Sequence, residues 1–201
     1  MKRKVNLIVF AISLFCAGIS YSQNEVLTNE EIVIKAVSQS VADNIADFSP
    51  GSIFINDDSV GIKRPVSKGI IDASSNNGFK VFINNNQTVD YIAAYDILGF
   101  DFNYKNGNSR GFLKQSMVKR NLNALLKLTL KNRGSGEIKY SNDIAVKYED
   151  EIDPDYLDYV ASINIRELSP VKPASFVKRF AEPVIVTTAI GALVFLFFAN
   201  R

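Results

Sequence analysis

The alternation of apolar and polar positions is clearest in the second half of the chain. Over residues 122–130 every even position is leucine or alanine, and most odd positions are polar. This is the period of a half-buried β-strand. A Gly-Ser-Gly turn at residues 134–136 separates it from a second alternating run over residues 138–148. The two runs predict an antiparallel hairpin of long strands.

A third extended segment precedes this hairpin. Residues 91–104 are rich in aromatic and β-branched side chains and are interrupted at Gly99. A polar turn is predicted over residues 105–108, before the next strand. The three segments together predict an antiparallel meander. We expect the aromatic side chains of residues 91–104 to pack in the core, and an exposed aromatic stripe is the alternative. These side chains are Tyr91, Tyr95, Phe100, Phe102 and Tyr104.

In the first half of the chain, apolar residues recur at the spacing of α-helices instead. Thr28 and Glu31 have the spacing of a capping box, which marks the start of a helix. This helix is predicted to end near Ser49, where Pro50 and Gly51 follow. Its inward stripe consists of Ile34, Val37, Val41 and Ile45.

A strand–helix–strand unit follows. Short buried strands are predicted at residues 52–55 and 79–83, with a helix over residues 65–76 between them. Strands joined in this way pair in parallel through a crossover. A short helix over residues 154–162 closes the domain. The fold class is therefore predicted as α+β: one strand–helix–strand unit plus an antiparallel meander of long strands packed against helices. The inward residues of the crossover helix are Val66, Ile70 and Ile71.

Apolar segments occur at both ends of the chain. Residues 1–22 predict a signal peptide, because a basic start precedes an apolar run and small residues at Ser20 and Ser22. An uncleaved N-terminal anchor is the alternative. Residues 181–200 predict a C-terminal transmembrane helix, because residues 184–199 carry no charge and approach the length of a membrane span. A buried helix of the domain is the alternative there.

Between these segments lie a predicted domain at residues 25–165 and a proline-containing tether at residues 166–180. Export by the signal peptide predicts a periplasmic domain that a single C-terminal helix anchors in the cytoplasmic membrane. The basic residues Lys172, Lys178 and Arg179 on the outer flank disagree mildly with the positive-inside rule. We expect the leader to dominate orientation.

The amino-acid composition excludes several kinds of partner and of catalytic or metal-binding site. Loss of Lys2, Arg3 and Lys4 with the leader leaves 20 basic residues against 21 acidic ones, so no positive field predicts a nucleic-acid partner. The chain has no histidine, and its single cysteine, Cys16, lies in the leader. Histidine-based catalysis and histidine or thiolate metal sites are therefore excluded in the mature chain. We expect no catalytic residue, no cofactor and no metal site.

Two charged clusters remain. Residues 149–155 contain five acids, which could bind Ca²⁺ or supply a carboxylate pair for hydrolysis. A solvated turn, with Asp153 capping a helix that Pro154 starts, is the favoured interpretation. The basic cluster is a candidate partner surface, with the wet face of a half-covered sheet as the alternative. It consists of Lys114, Lys119, Arg120, Lys127, Lys131 and Arg133.

The strand-and-turn pattern resembles a group of bacterial envelope domains. Residues 89–92 (Val-Asp-Tyr-Ile), the alternating leucines at 126–130 and the turn and strand at 134–140 carry the resemblance. It extends over residues 53–152. The group contains the curli secretion component and the outer-membrane lipoprotein activators of penicillin-binding proteins. This chain departs from it by lacking a lipidated cysteine at the mature start and by its C-terminal apolar segment.

The resemblance implies a non-enzymatic protein that docks onto other envelope proteins, and it assigns no individual residue a role. We therefore expect a membrane-anchored envelope module that binds or scaffolds other envelope proteins. Two alternatives stay open. One is an oligomeric secretion or transport accessory, in which the chain forms a homo-oligomer. The other is a carboxylate-dependent hydrolase of envelope polysaccharide.

Overall fold

The computed structural model describes residues 26–56, 60–84, 88–109 and 116–173. It also describes five single helical positions near the C-terminus, Val186, Thr187, Ile190, Phe195 and Phe198. The predicted signal peptide, residue Lys114 and most of the predicted membrane helix lie outside these residues. Within the described part of the chain, no helix is both long enough and apolar enough to cross a membrane.

The chain forms an α+β fold around a five-stranded mixed sheet. Its elements in order are α1 (Asn29–Ile45), β1 (Ser52–Ile55), α2 (Lys63–Asn76), β2 (Lys80–Phe82), β3 (Tyr91–Ser109), β4 (Ser116–Asn132) and β5 (Ile138–Ile152). A 3₁₀ turn (Pro154–Tyr156), the one-turn helix α3 (Leu157–Val160) and a second 3₁₀ turn (Arg166–Leu168) follow. The capping box at the start of α1 is present, with both of its reciprocal hydrogen bonds.

The strands lie in the order β2-β1-β3-β4-β5. Strand β1 is parallel to β2 on one side and to β3 on the other, while β3, β4 and β5 are antiparallel neighbours. The predicted parallel crossover and the predicted meander are both confirmed. Gly99, where an interruption was predicted, lies at a register shift in β3, with Leu98 as the extra residue.

The predicted turn at residues 105–108 is wrong. Strand β3 continues through this segment, with Lys105 opposite Lys119 and Asn106 opposite Val118 of β4. Strand β4 accordingly begins at Ser116, six residues before the alternating run. Polar residues have low strand propensity, but the backbone groups of each strand supply the hydrogen-bond partners of the other. Pairing therefore extends beyond the apolar pattern.

Both helices pack on one face of the sheet and enclose the core. Val37, Val41 and Ile45 of the predicted stripe are buried, but Ile34 is only half-buried. The centre of the inward face lies further round the helix, and its other members are Ile32, Val33 and Ala36. Helix α2 contributes Val66 and Ile70 as predicted, while Ile71 lies at the core margin. A Cβ at Gly69 would lie 2.8 Å from the carbonyl oxygen of Ile34, so glycine permits the close approach of the two helices.

The core continues past residue 165. Ile165 and Leu168 are buried, and the carbonyl oxygen of Leu168 accepts a hydrogen bond from the Asn29 side chain at 2.8 Å. The packed part of the chain thus reaches Leu168, inside the segment 166–180 that the sequence predicts as a tether.

Candidate interaction surface

The side of the sheet away from the helices carries exposed side chains in the described part of the chain. In β4 the even-numbered residues face the helices, and the odd-numbered residues between Lys119 and Lys131 face the other way. The cross-strand register assigns every second residue of β3 and β5 to this same side. We call this surface of β3, β4 and β5 the uncovered face.

The uncovered face carries charges of both signs in equal number. Its lysines are Lys105, Lys119, Lys127, Lys131 and Lys147, and its carboxylates are Asp96, Asp101, Asp143, Glu149 and Glu151. Lys127 lies opposite Asp96 on one side and Asp143 on the other. Lys119 forms an ion pair with Glu149. Because acids are interleaved with the lysines, this face is mixed in charge rather than basic.

The centre of the uncovered face is apolar. Leu125 lies between Gly99 of β3 and Ala145 of β5, and it is 40% exposed. Leu98, the extra residue beside Gly99, is 51% exposed. We call Leu98, Leu125 and Ala145 the apolar row. A charged row lies on each side of it, with Lys127 at the centre of one and Lys147 at the end of the other.

Two amide groups have unused hydrogen-bonding atoms, and the charged row that contains Lys147 separates them from the apolar row. Asn103 of β3 lies opposite Asn121 of β4. The Asn103 side chain donates to Asp101 at 2.6 Å, but its Oδ1 has no hydrogen-bond partner among the described residues. The same holds for Nδ2 of Asn121. Both atoms are buried, so one acceptor and one donor remain unsatisfied among the described residues where the two strands meet.

Arg120 does not belong to the uncovered face, which corrects its assignment to a partner surface. It lies on the helix side of β4 and is 1% exposed. Its Nε and Nη2 donate to the two carboxylate oxygens of Asp150 at 2.8 and 2.6 Å. Its Nη1 donates to the Leu27 carbonyl oxygen at 2.6 Å and to Asn29 Oδ1 at 3.2 Å. The guanidinium thus joins β4 and β5 to the start of α1.

Asn29 extends this buried network to the end of the domain. Its Nδ2 donates to the Tyr104 hydroxyl at 2.7 Å and to the Leu168 carbonyl oxygen at 2.8 Å. Burial raises the pKa of Tyr104 above its ordinary value, so the phenol is neutral at physiological pH. The network holds together the first helix, three strands and the last packed turn.

Lys114 lies outside the described residues, and the other described basic residues of the predicted cluster are dispersed. Lys119, Lys127 and Lys131 lie on the uncovered face, among its acids. Arg133 is exposed in the turn after β4, where its backbone N–H donates to the Asp90 carbonyl oxygen at 3.0 Å. The described members of the cluster therefore form no continuous basic patch, and three of them lie on an exposed sheet face.

The acidic segment 149–155 does not converge on a point. Strand alternation directs Glu149 and Glu151 to the uncovered face and Asp150 to the helix side. Asp153 accepts a hydrogen bond from the Asp155 N–H at 3.0 Å and caps the 3₁₀ turn that Pro154 starts, as predicted. Nowhere in the described ranges do three or more acidic, histidine or cysteine side chains gather in a way that could hold a metal ion.

The aromatic residues of β3 serve the core. Phe102 and Tyr104 are buried and contact each other edge to face at 6.1 Å between ring centroids. Tyr91, Tyr95 and Phe100 are half-buried and pack against the same core. The prediction of core packing is confirmed, and the exposed aromatic stripe is not formed.

Asp90 joins the starts of β1 and β3. Its Oδ2 accepts from the Ser52 N–H at 2.8 Å and from the Ser52 hydroxyl at 2.7 Å. The Asp90 N–H donates in return to Ser52 Oγ at 2.9 Å. The backbone N–H of Ser52, followed by its hydroxyl, lowers the pKa of Asp90 below its ordinary value of 3.8. This clamp is the structural role of Asp90 within residues 89–92.

Asp90→Asn is expected to lower the urea midpoint at neutral pH and to have a smaller effect in acid. The lowered pKa means that the charged carboxylate stabilises the folded state above about pH 4, and that this contribution is lost as the pH falls through the folded-state value. Urea titrations of both proteins at about pH 7 and about pH 3 measure the effect. An equal difference at both pH values would contradict the carboxylate's role.

The sequence pattern did not identify the apolar row or the burial of Arg120. Leu125 was a sequence signal for the apolar row, because it is a leucine at a position where the alternation predicts a polar residue. Arg120 also had a signal, because it is in phase with the apolar even-numbered positions 122–130, whereas Lys119 is in phase with the polar odd-numbered ones. Comparisons with protein-family models, curated proteins and solved structures found no match to this chain. The resemblance to envelope domains therefore stays a hypothesis.

Proposed function

We propose that this protein is a non-catalytic docking module of the bacterial cell envelope. A signal peptide at residues 1–22 exports it, and the apolar segment at residues 181–200 holds it at a membrane. It binds other envelope proteins through the uncovered face. The observation that carries this proposal is the apolar row at the centre of that face, with a charged row on each side.

This arrangement has the composition of a protein-binding surface. Protein interfaces have an apolar centre that loses contact with water and a polar rim that remains partly solvated. Leu98 and Leu125 supply the centre, and the rows that contain Lys127 and Lys147 supply the rim. A partner with interleaved charges would be selected, because a partner of one sign would meet like charges.

The shape of the surface also favours a macromolecule. Strands β3, β4 and β5 are 19, 17 and 15 residues long, so they present an elongated sheet surface rather than a cleft. Small-molecule sites are generally concave and enclose most of their ligand. An extended face instead fits the broad contact area of a second protein.

In-cell photo-crosslinking tests the proposal. A photoreactive side chain placed at Asn123, beside Leu125, is expected to form adducts with envelope proteins in intact cells. Leu125→Lys should reduce the adduct yield by about tenfold, because a charge in an interface centre is desolvated. Ile138→Lys is the matched control, since Ile138 is also exposed but lies at the far end of β5. Circular dichroism of each variant verifies folding.

Two outcomes would contradict the proposal. Adducts that Leu125→Lys leaves unchanged would place binding elsewhere, and adducts that contain only further copies of this chain would exclude a separate partner. Deleting residues 181–200 should transfer the protein from the membrane fraction to the soluble fraction. Retention of the shortened chain in the membrane fraction would contradict the anchor.

A further inference from the structure

Strand β5 forms a long edge of the sheet. It has 15 residues and hydrogen-bonds to β4, and no other strand of the described chain pairs with it. Over residues 140–152 its register with β4 is unbroken, and β5 contains no proline or glycine. Bulges, prolines and short length are among the devices that keep edge strands from pairing. Over residues 140–152 the absence of these three leaves a regular row of backbone donors and acceptors along this edge.

Two charges lie symmetrically about the middle of this edge. Asp143 and Lys147 are each two residues from Ala145, and all three are on the uncovered face. Neither charge is in any of the ion pairs formed among the described residues. Within the chain, Asp143 lies opposite Lys127, whereas Lys147 lies opposite the neutral Asn123.

We infer that two copies of this chain pair through β5, antiparallel, with Ala145 opposite Ala145 of the second copy. The two-fold axis then places Asp143 opposite Lys147 of the second copy, and Lys147 opposite Asp143 of the second copy. The charges on the edge are therefore self-complementary. The two sheets join into one sheet of ten strands, with both uncovered faces on the same side.

The other registers whose axis lies between Asp143 and Lys147 lack this complementarity. Antiparallel pairing keeps side chains on their own face only when the axis passes through a residue. An axis at Val146 would oppose Asp143 to Glu149, and an axis at Asp143 or Lys147 would oppose a charge to itself. An axis at Ile144 would leave Asp143 opposite Ala145. Only the axis at Ala145 opposes Asp143 and Lys147, and directly opposed charges of opposite sign stabilise a sheet.

The same register also aligns the apolar rows. Ala145 ends the apolar row at the β5 edge, where it follows Leu125 of β4. Its pairing with Ala145 of the second copy continues the row without interruption across the junction. Charge pairing and apolar alignment are separate properties of the sequence, yet they select one axis. The inference does not rest on the docking function proposed above, since it concerns the edge rather than the partner of the face.

Engineered disulfides test the register. Ala145→Cys, in a chain whose Cys16 is replaced by serine, should form a disulfide-linked dimer on mild oxidation, because directly opposed Cβ atoms lie about 5 Å apart. Ser141→Cys is the matched control on the same edge and face. Its counterpart in the second copy would lie about 26 Å away, so it should not form this dimer. Both are measured on the full chain purified in detergent.

Charge exchange gives an independent test. Asp143→Lys and Lys147→Asp should each lower the dimer fraction in sedimentation by about tenfold, through like charges at both positions. The double variant should restore it. A monomeric full chain, equal crosslinking of the two cysteine variants, or failure of the double exchange to restore dimers would overturn the inference.

Discussion

Arg120→Ala is expected to lower the free energy of unfolding by about 3 kcal/mol. The substitution removes the guanidinium donors of the Asp150 carboxylate, the Leu27 carbonyl and Asn29 Oδ1, and Asp150 keeps only the hydrogen bond from the Tyr148 hydroxyl at 3.3 Å among the described side chains. Removal of one member of a buried ion pair is costly because the other charge remains desolvated. Asp150 keeps some contact with water, which places the effect at the lower end of the range for such pairs. Urea unfolding followed by circular dichroism measures it, since the chain has no tryptophan.

Lys119→Ala provides the matched control. Lys119 precedes Arg120 in β4 and also pairs with an acid of β5, but on the uncovered face. Loss of this ion pair should lower the free energy of unfolding by less than about 1 kcal/mol, as for other ion pairs in contact with solvent. The loss of unfolding free energy for Arg120→Lys should lie between those of the two alanine variants. An ammonium keeps the charge but cannot donate to both Asp150 oxygens in the same geometry. Similar unfolding curves for Arg120→Ala and Lys119→Ala would contradict the role of Arg120 in joining β4 and β5 to the start of α1.

Leu168→Ala is expected to lower the free energy of unfolding by about 2–4 kcal/mol. Leu168 is fully buried, and its carbonyl oxygen accepts the hydrogen bond from Asn29. Truncating the side chain removes apolar contacts and leaves a cavity in the core. The measurement is the same urea titration, carried out on the otherwise unchanged protein.

Val171→Ala is the corresponding control, because Val171 is 90% exposed only three residues later. Val171→Ala should change the free energy of unfolding by no more than about 0.5 kcal/mol. The pair of variants locates the end of the packed domain between residues 168 and 171. If both variants were neutral, the segment after residue 165 would be a tether from its start, as the sequence pattern predicts.

Local sequence determined the elements whose partners lie a few residues away. The capping box of α1 depends on Thr28 and Glu31, and the turn after β5 depends on Asp153 and Pro154. The alternation of β4 and β5 likewise follows from burial of one face of each strand. Such features can be predicted because their free energy depends on local hydrogen bonds or on the period of the apolar residues.

The tertiary structure alone decided the features whose partners are distant in the chain. Strand β3 continues through residues 105–109 because β4 supplies its hydrogen-bond partners. The alternation places Arg120 on the core face of β4, but its charge stays buried there because Asp150, Leu27 and Asn29 satisfy its donors. Leu168 returns to the core through Asn29, 139 residues earlier. Periodicity reports which face of an element is apolar, but the partners that stabilise a buried charge or extend a strand are set by the assembled fold.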